Sequence, residues 1–296
     1  MMSSQVKLGL ALAVAGAFLF GATLPATRLA VAFFDPLFVS AARAVVAGCL
    51  GLIVLLVLRR PWPSRKIFAE LFAAGLCTIV GYPILIAFAL ITVPASHSGV
   101  VLGVVPLVTM AAAALLLRER PSLAFWIASA AGSLVVVAFV VRHNEGVTIS
   151  HGDLFLIGAV VAGALGYTFS GQLSAKMPGW EVISWQVVMF LPLTVPVTLL
   201  LWPHDLAQAP ASAWAGLAYV SCVSMYLGFF VFNAAMAMAG VSRAGQVMLL
   251  QPFIIVALSI PVNGEKFEPE TLAFAAAVVV TVVVGQRMRV KRPRPK

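Results

Sequence analysis

The chain is a series of long apolar stretches separated by short polar or proline- and glycine-containing breaks. A bilayer core of about 30 Å is crossed by about 20 apolar helical residues, the length of each stretch. Division at the breaks predicts spans over residues 8–32, 38–58, 68–91, 97–117, 123–141, 153–174, 182–201, 214–238, 243–262 and 271–288. We therefore predict an all-α integral membrane protein with ten transmembrane helices.

A pattern that runs from a proline to a glutamate occurs twice in the chain. Pro106 aligns with Pro252 at an offset of 146 residues, and the same offset carries Glu119 onto Glu265. Internal repeats determine architecture, because each copy folds as one unit and packs on its neighbour. The chain therefore consists of two related halves.

The two halves are predicted to have opposite orientations in the membrane. Near their beginnings, Arg43 aligns with Gln186 at an offset of 143 residues. We expect a first five-helix repeat over 1–142, a second over 143–288, and a basic tail over 289–296. Because five is odd, the second repeat enters from the opposite side. Such an inverted repeat lets one central site open alternately to each face.

Composition and charge agree with a membrane protein. Hydrophobic residues make up 62% of the chain and charged residues 10%, too few charges for the surface of a soluble domain of this size. The net charge of +9 is explained by topology. With a cytoplasmic amino terminus, fifteen of the nineteen basic residues fall in cytoplasmic segments. This bias predicts that both termini are cytoplasmic, with the lipid bilayer and not nucleic acid as the partner.

Several stretches resemble a known family, above all LFGATLPATRL and FNAAMAMAGVSRAGQVMLLQPFIIVALSIPVNGEKFEP. They are similar to the drug/metabolite transporter superfamily, and in particular to its ten-span EamA-type exporters. The similarity covers nearly the whole chain and includes the turn Gly264-Glu265 near the end of the second repeat. The resemblance implies a protein of the bacterial inner membrane. Such proteins export amino acids, some of them aromatic amino acids, related metabolites or cationic drugs.

We therefore expect export of amino acids, aromatic or other neutral ones, and related small metabolites by alternating access. We also expect a monomer without a cofactor. Two alternatives remain open: a proton-coupled drug or metabolite exporter of the same fold, and a membrane scaffold or sensor. The sequence contains no HExxH, no G-x-S-x-G and no P-loop, which argues against an enzyme. The cysteines and histidines lack metal-ligand spacing, so no metal site is expected.

The placement of the charged groups bears on energy coupling. All ten acidic residues map to loops or helix ends. Intramembrane carboxylates are the usual proton carriers of antiporters, so their absence favours a facilitated exporter. A histidine or a helix-end carboxylate could still carry protons. His97, which opens a predicted span, is the candidate proton site, because histidine changes its charge near neutral pH. The alternative is a solvated histidine at a helix start.

Polar and aromatic residues inside the spans are candidate cavity walls, because polar groups facing lipid would be unsatisfied. The candidates for substrate binding are Tyr82, Tyr167, Trp185, Gln186, Asn233, Gln246 and Arg43. The resemblance implies that Tyr82, Asn233 and Gln246 lie on cavity-lining spans. Tyr167 and Trp185 could stack on a substrate or serve in packing.

Two arginines lie inside predicted spans. Arg43 either captures a substrate carboxylate or has a structural role, as a snorkelling anchor or as a partner for helix-end carbonyls near the outer face. Arg28, near the outer end of its span, is expected to be a plain anchor.

Prolines within spans are candidates for gating kinks, because each removes a backbone hydrogen bond and clashes with the preceding turn. They are Pro25, Pro83, Pro106 and Pro252. The equivalence of Pro106 and Pro252 favours a paired gating role, although membrane helices also tolerate proline without one. Gly99 begins a GxxxG pair, which we expect to serve internal packing and not dimerisation.

Overall fold

The computed structural model describes residues 4–116, 120–121, 123–143, 150–174, 176–205, 208–239, 244, 247–287 and 290–291. The helices of the first repeat are α1 (Ser4–Val31), α2 (Pro36–Val57), α3 (Arg65–Thr92), α4 (Ala95–Leu102), α5 (Val105–Leu116) and α6 (Leu123–His143). Those of the second are α7 (His151–Ser174), α8 (Gly179–Met189), α9 (Leu191–Leu200), α10 (Ala211–Ala239), α11 (Gln251–Asn263) and α12 (Pro269–Arg287).

The described helices are those of a multi-pass membrane protein. Five of them (α1, α2, α3, α7 and α10) are long and apolar enough to cross a bilayer, and α8 and α9, bent by 50° from each other, make a sixth when the pair is counted as one span. Large apolar side chains face outward, such as Leu200, which is 83% exposed. The other predicted spans coincide with shorter helices among the described residues. The predicted all-α membrane fold is therefore confirmed, while the count of ten spans stays a prediction.

The two halves pack on each other symmetrically. α2 packs on α8 and α9, α4 on α11, and α6 on α12, so three predicted spans meet their own counterparts. α1 packs on α10 and α3 on α7, an exchange between the first span of one half and the third of the other. A two-fold axis in the membrane plane produces this pattern of contacts.

Small residues allow the helices of the two halves to approach closely. A Cβ atom added to Gly216 in α10 would lie 2.4 Å from the carbonyl oxygen of Ala26 in α1. A Cβ atom on Gly99 would lie 2.8 Å from a side-chain carbon of Ile255, which confirms that Gly99 serves internal packing. Close backbone approach of this kind is a main source of helix association in a bilayer.

Each of the four predicted proline kinks follows a break in helical geometry. α1 is interrupted at Ala22, and Pro25 lies in the first turn after that break. Pro83 follows a π-helical turn within α3, and Pro106 and Pro252 are the second residues of α5 and α11. A proline in a first turn lacks only an N–H that would have no partner there. The prolines thus restart helices, and their gating role stays a prediction.

Ion pairs join the two halves at both ends of the bundle. At one end the pairs are Arg28–Glu265, His97–Asp153 and Arg142–Glu270, and at the other Arg60–Glu181 and Lys176–Glu70. We call these the Glu265 end and the Glu70 end. Every one of these pairs, taken over the described residues, has one member in each repeat.

Two short strands link the first repeat to the tail. β1 (Arg120–Pro121) pairs antiparallel with β2 (Val290–Lys291). The rest of the predicted tail over 289–296 lies outside the described residues.

We expect Gly216→Ala to lower the thermal unfolding midpoint in detergent. The added methyl group would meet a backbone oxygen of Ala26, which cannot rotate away. Overpacking costs about 1–3 kcal/mol, against about 1 kcal/mol gained on replacing a helical glycine. Gly16→Ala in α1 is the control, because its methyl group would make ordinary contact with Phe232 at 3.4 Å. Equal midpoints for the two variants would contradict the close approach.

Candidate functional site

A cavity lies where the two halves meet. From the first repeat it is lined by Phe20, Thr23, Arg43, Thr78 and Tyr82. From the second repeat it is lined by Gly163, Tyr167, Ser224, Phe229 and Gln251. Its volume is about 30 Å³, room for about one water molecule. An amino acid is far larger, so the helices have to part before such a molecule enters.

The cavity lies on the symmetry axis between the repeats. Phe20 and Gly163 occupy equivalent positions at an offset of 143 residues, and Thr78 and Ser224 do so at an offset of 146. Both members of each pair line the cavity. A site on the axis of an inverted repeat contacts the same elements of both halves, which is what alternating access requires.

Thr78 and Ser224 lie in π-helical turns, over Leu76–Gly81 in α3 and Tyr219–Gly228 in α10. π-Helical turns are rare and are frequent at functional sites. Pro83 accounts for the first, because the wider turn moves the carbonyl four residues earlier away from the proline ring. The second contains no proline, and no feature of the sequence predicted it.

Arg43 carries the charge of the described cavity wall. Its side chain is buried, and its Nη2 donates a long hydrogen bond of 3.4 Å to Ser224 Oγ. Ser224 Oγ lies 2.8 Å from Thr23 Oγ1. The Nε and Nη1 atoms of Arg43 have no hydrogen-bond partner among the described residues. The alternative that Arg43 snorkels to the surface is wrong, because the residue is 3% exposed and lies in the interior.

The remainder of the wall is rich in aromatic rings. Phe20 meets Phe229 edge to face with ring centroids 5.1 Å apart, and Tyr167 lies 6.1 Å from the Phe229 ring. Tilted and edge-on rings leave faces and edges for a further apolar group. Of the predicted binding residues, Arg43, Tyr82 and Tyr167 are brought together here.

The structure places Trp185 away from this cavity. Trp185 packs with Leu71 and Leu173 near the Glu70 end. Its ring meets Trp62 edge to face with centroids 4.8 Å apart. Of the two alternatives drawn from the sequence, this environment favours packing over stacking on a substrate.

The predicted amide candidates also lie elsewhere. Gln186 donates to Ser170 Oγ at 3.1 Å, and Asn233 donates to the carbonyl oxygen of Gly179 at 2.9 Å. Both side chains are buried between helices. Gln246 lies outside the described residues. A role for these three residues in substrate binding stays a prediction.

Glu265 holds one end of the bundle together. One carboxylate oxygen accepts from the Ala95 N–H at 2.8 Å and from Arg28 Nη1 at 3.2 Å. The other oxygen accepts from the Ser96 N–H at 3.1 Å. A carboxylate at a helix start satisfies amides that lack a partner within the helix and is favoured by the helix dipole. Glu265 therefore ties the chain after α11 to the start of α4.

The surroundings of Glu265 correct one prediction from the sequence. Arg28 is more than a membrane anchor, because it binds Glu265 of the other repeat and also donates to the Val93 carbonyl at 3.1 Å. Gly264 ends α11 in the left-handed region, with a φ of 66°. Glycine adopts this conformation without strain, and it turns the chain back so that Glu265 reaches α4.

His97 lies in a buried pair with Asp153 at the same end. Its Nε2 is 2.9 Å from Asp153 Oδ1, and its ring lies 4.7 Å from Phe139. The Ser150 hydroxyl accepts from the Asp153 N–H and Asp153 Oδ2 accepts from the Ser150 N–H, a capping box at the start of α7. The prediction of a solvated histidine is therefore wrong. Asp153 is at a helix start, as predicted, but it is also buried, which the sequence did not reveal.

We expect Glu265→Ala to loosen the Glu265 end, because three donors lose their acceptor. In a background without the native cysteines, a cysteine replacing Thr23 reports opening through its labelling by a water-soluble thiol reagent. Hydrogen bonds to a charged group contribute about 1.5–3 kcal/mol, so labelling should accelerate about tenfold or more.

The matched control is Glu270→Ala, which removes an exposed pair with Arg142 at the same end. Exposed ion pairs contribute about 0–1 kcal/mol, so this variant should label at the parental rate. Parental labelling in Glu265→Ala would show that the carboxylate does not hold this end closed.

Comparison with known proteins agrees with the architecture. Residues 7–141 and again residues 150–284 match the EamA-like transporter family. The chain is 37% identical over 272 residues to the uncharacterized transporter YdeK of Bacillus subtilis (strain 168), covering 92% of this chain and 94% of that protein. A probable terminal-alkyne amino-acid exporter of Streptantibioticus cattleyicolor is 27% identical over 283 residues, or 92% and 86% of the two chains.

Among solved structures with the same fold is a crystal structure with a TM-score of 0.65 at 20% identity, which covers 96% of both chains. The sequence relatives are named as transporters and not as enzymes, scaffolds or sensors. Two family matches, one in each repeat, account for nearly the whole chain. This chain belongs to the EamA-like transporter family.

Proposed function

We propose that the protein exports neutral amino acids and related small metabolites across the bacterial inner membrane. It acts as a monomer with both termini in the cytoplasm. The observation that carries the proposal is the composition of the cavity on the symmetry axis, which combines one cation with aromatic rings. A neutral amino acid presents a matching carboxylate and apolar side chain. The relative named as a probable amino-acid exporter points to the same class of substrate.

The ion pairs suggest how the cavity opens to one side at a time. Parting the Glu265 end breaks Arg28–Glu265 and leaves Arg60–Glu181 at the Glu70 end in place. Parting the Glu70 end does the reverse. Pairs at both ends together with a cavity for one water molecule are what an occluded intermediate would have.

Facilitated transport is the proposed energetic mode. A carrier without coupling works in either direction, so export follows when the substrate is more concentrated inside the cell. No described acidic residue lines the cavity, which supports this mode.

A proton-coupled exporter is the second candidate, and the His97–Asp153 pair favours it. The two side chains belong to different repeats and are buried together at the Glu265 end. A proton gained or lost by such a pair changes the charge between the halves and can bias opening. The lack of carboxylates within the spans is thus a weaker argument against coupling than the sequence alone suggested.

Uptake into proteoliposomes tests the proposal and separates the two modes. Labelled phenylalanine, leucine, threonine and methionine would be offered with and without a pH gradient, and protein-free liposomes are the control. Saturable uptake without a gradient supports facilitated amino-acid transport. Uptake of none of them under either condition would refute transport of neutral amino acids.

The facilitated mode predicts that uptake is equally fast with and without the pH gradient, in wild type and in His97→Gln. Glutamine is chosen because its amide nitrogen can reach Asp153 where Nε2 now does. A wild-type rate that rises severalfold with the gradient, together with no such rise in His97→Gln, would instead support proton coupling through the pair.

A further inference from the structure

The Arg43 guanidinium is a buried cation whose counter-charge is not provided by the described residues. Its side chain is 3% exposed, and no described acidic residue lines the cavity. An uncompensated charge in a low-dielectric interior is strongly unfavourable, and arginine does not escape it by losing its proton. An anion that binds Arg43 during the transport cycle would balance this buried charge.

We propose that Arg43 binds the carboxylate of the substrate, and that the cavity recognises monocarboxylates with an apolar or aromatic side group irrespective of an amino group. Neutral amino acids are then one kind of substrate within a broader class. This inference rests on the proposed function in one respect, because it takes the cavity to be the transport site.

The hydrogen bonds of Arg43 leave room for an anion. Only Nη2 is engaged, through the long bond of 3.4 Å to Ser224, while Nε and Nη1 have no partner among the described residues. A planar guanidinium binds a carboxylate with two parallel N–H···O bonds. An incoming carboxylate therefore gains two charged hydrogen bonds without breaking a strong one.

The cavity provides fewer favourable contacts for an ammonium group than for a carboxylate. Its described polar lining consists of neutral side chains and of Arg43, which repels a cation; the neutral ones are Thr23, Thr78, Tyr82, Tyr167, Ser224 and Gln251. The amino group of a substrate thus adds little to binding, and a molecule with only a positive charge is disfavoured. The same reasoning argues against cationic drugs as substrates.

The repeat supplies an informative substitution. Gln186 is the counterpart of Arg43 in the second repeat, and it lies outside the cavity wall, bonded to Ser170. The anion-binding group is thus present in one repeat and absent from the equivalent position of the other. Arg43→Gln places the second repeat's side chain in the first and removes the charge while keeping polar character.

The test measures ligand-induced shifts of the unfolding midpoint of purified protein in detergent. The probes are 3-phenylpropanoate, L-phenylalanine and L-phenylalaninamide, which carry a carboxylate only, both groups, and an ammonium only. We expect saturable stabilisation by the first two and none by the amide. Arg43→Gln should weaken carboxylate binding at least tenfold, and Arg43→Lys should weaken it less. Arg142→Gln, which removes an exposed charge, should bind as wild type.

Equal stabilisation by 3-phenylpropanoate and L-phenylalaninamide would overturn the inference. Absence of stabilisation by 3-phenylpropanoate or by L-phenylalanine would also overturn it, as would unchanged carboxylate binding in Arg43→Gln. The comparison of 3-phenylpropanoate with L-phenylalaninamide uses the wild-type chain, so it tests the inference even if a variant fails to fold. Carboxylate binding that needs Arg43, without any amino-acid uptake, would refute the proposed function while the carboxylate site at Arg43 would still be supported. Amino-acid uptake that is unaffected by Arg43→Gln would support the proposed function and refute the carboxylate site at Arg43.

Discussion

Polar groups within a bilayer have to find their partners inside the protein, and at the centre of this one several find them across the boundary between two repeats. The five ion pairs at the two ends of the bundle each join one repeat to the other. At the centre, Arg43 of the first repeat bonds to Ser224 of the second. These polar contacts lie in the surface that would part in the proposed alternating-access cycle. The apolar helix contacts are left to hold the rest of the fold together.

This distribution keeps the energetic cost of opening local. The groups separated at one end become hydrated as that end opens, which offsets the loss of their hydrogen bonds. The π-helical turns over Leu76–Gly81 and Tyr219–Gly228 lie at equivalent positions beside the cavity. The turn in α10 contains no proline, so it can change towards α-helical pairing without a clash, whereas Pro83 holds the wider turn in α3. Both turns lie beside the site on the same axis, so a change in α10 there affects the site between the halves.

The sequence predicted the architecture better than the site. The repeat and the apolar stretches were sufficient for the all-α fold, and Arg43, Tyr82 and Tyr167 do line the cavity. The spans are apolar on nearly every face, however, so no pattern shows which side of a helix points inward. This is why Trp185, which lies away from the cavity, could not be told apart from Tyr167. Contacts such as Arg28–Glu265, which are 237 residues apart, depend on tertiary packing.

A symmetric scaffold with an asymmetric site explains how loading and movement can be linked. The two-fold axis makes both openings geometrically equivalent, whereas Arg43 and Gln186 make the halves chemically different. When the cavity closes empty, the Arg43 charge is buried without a counter-charge, and this state is costly. When it closes around a carboxylate, the two charges balance. In the proposed cycle, a carboxylate substrate therefore lowers the free energy of the occluded state.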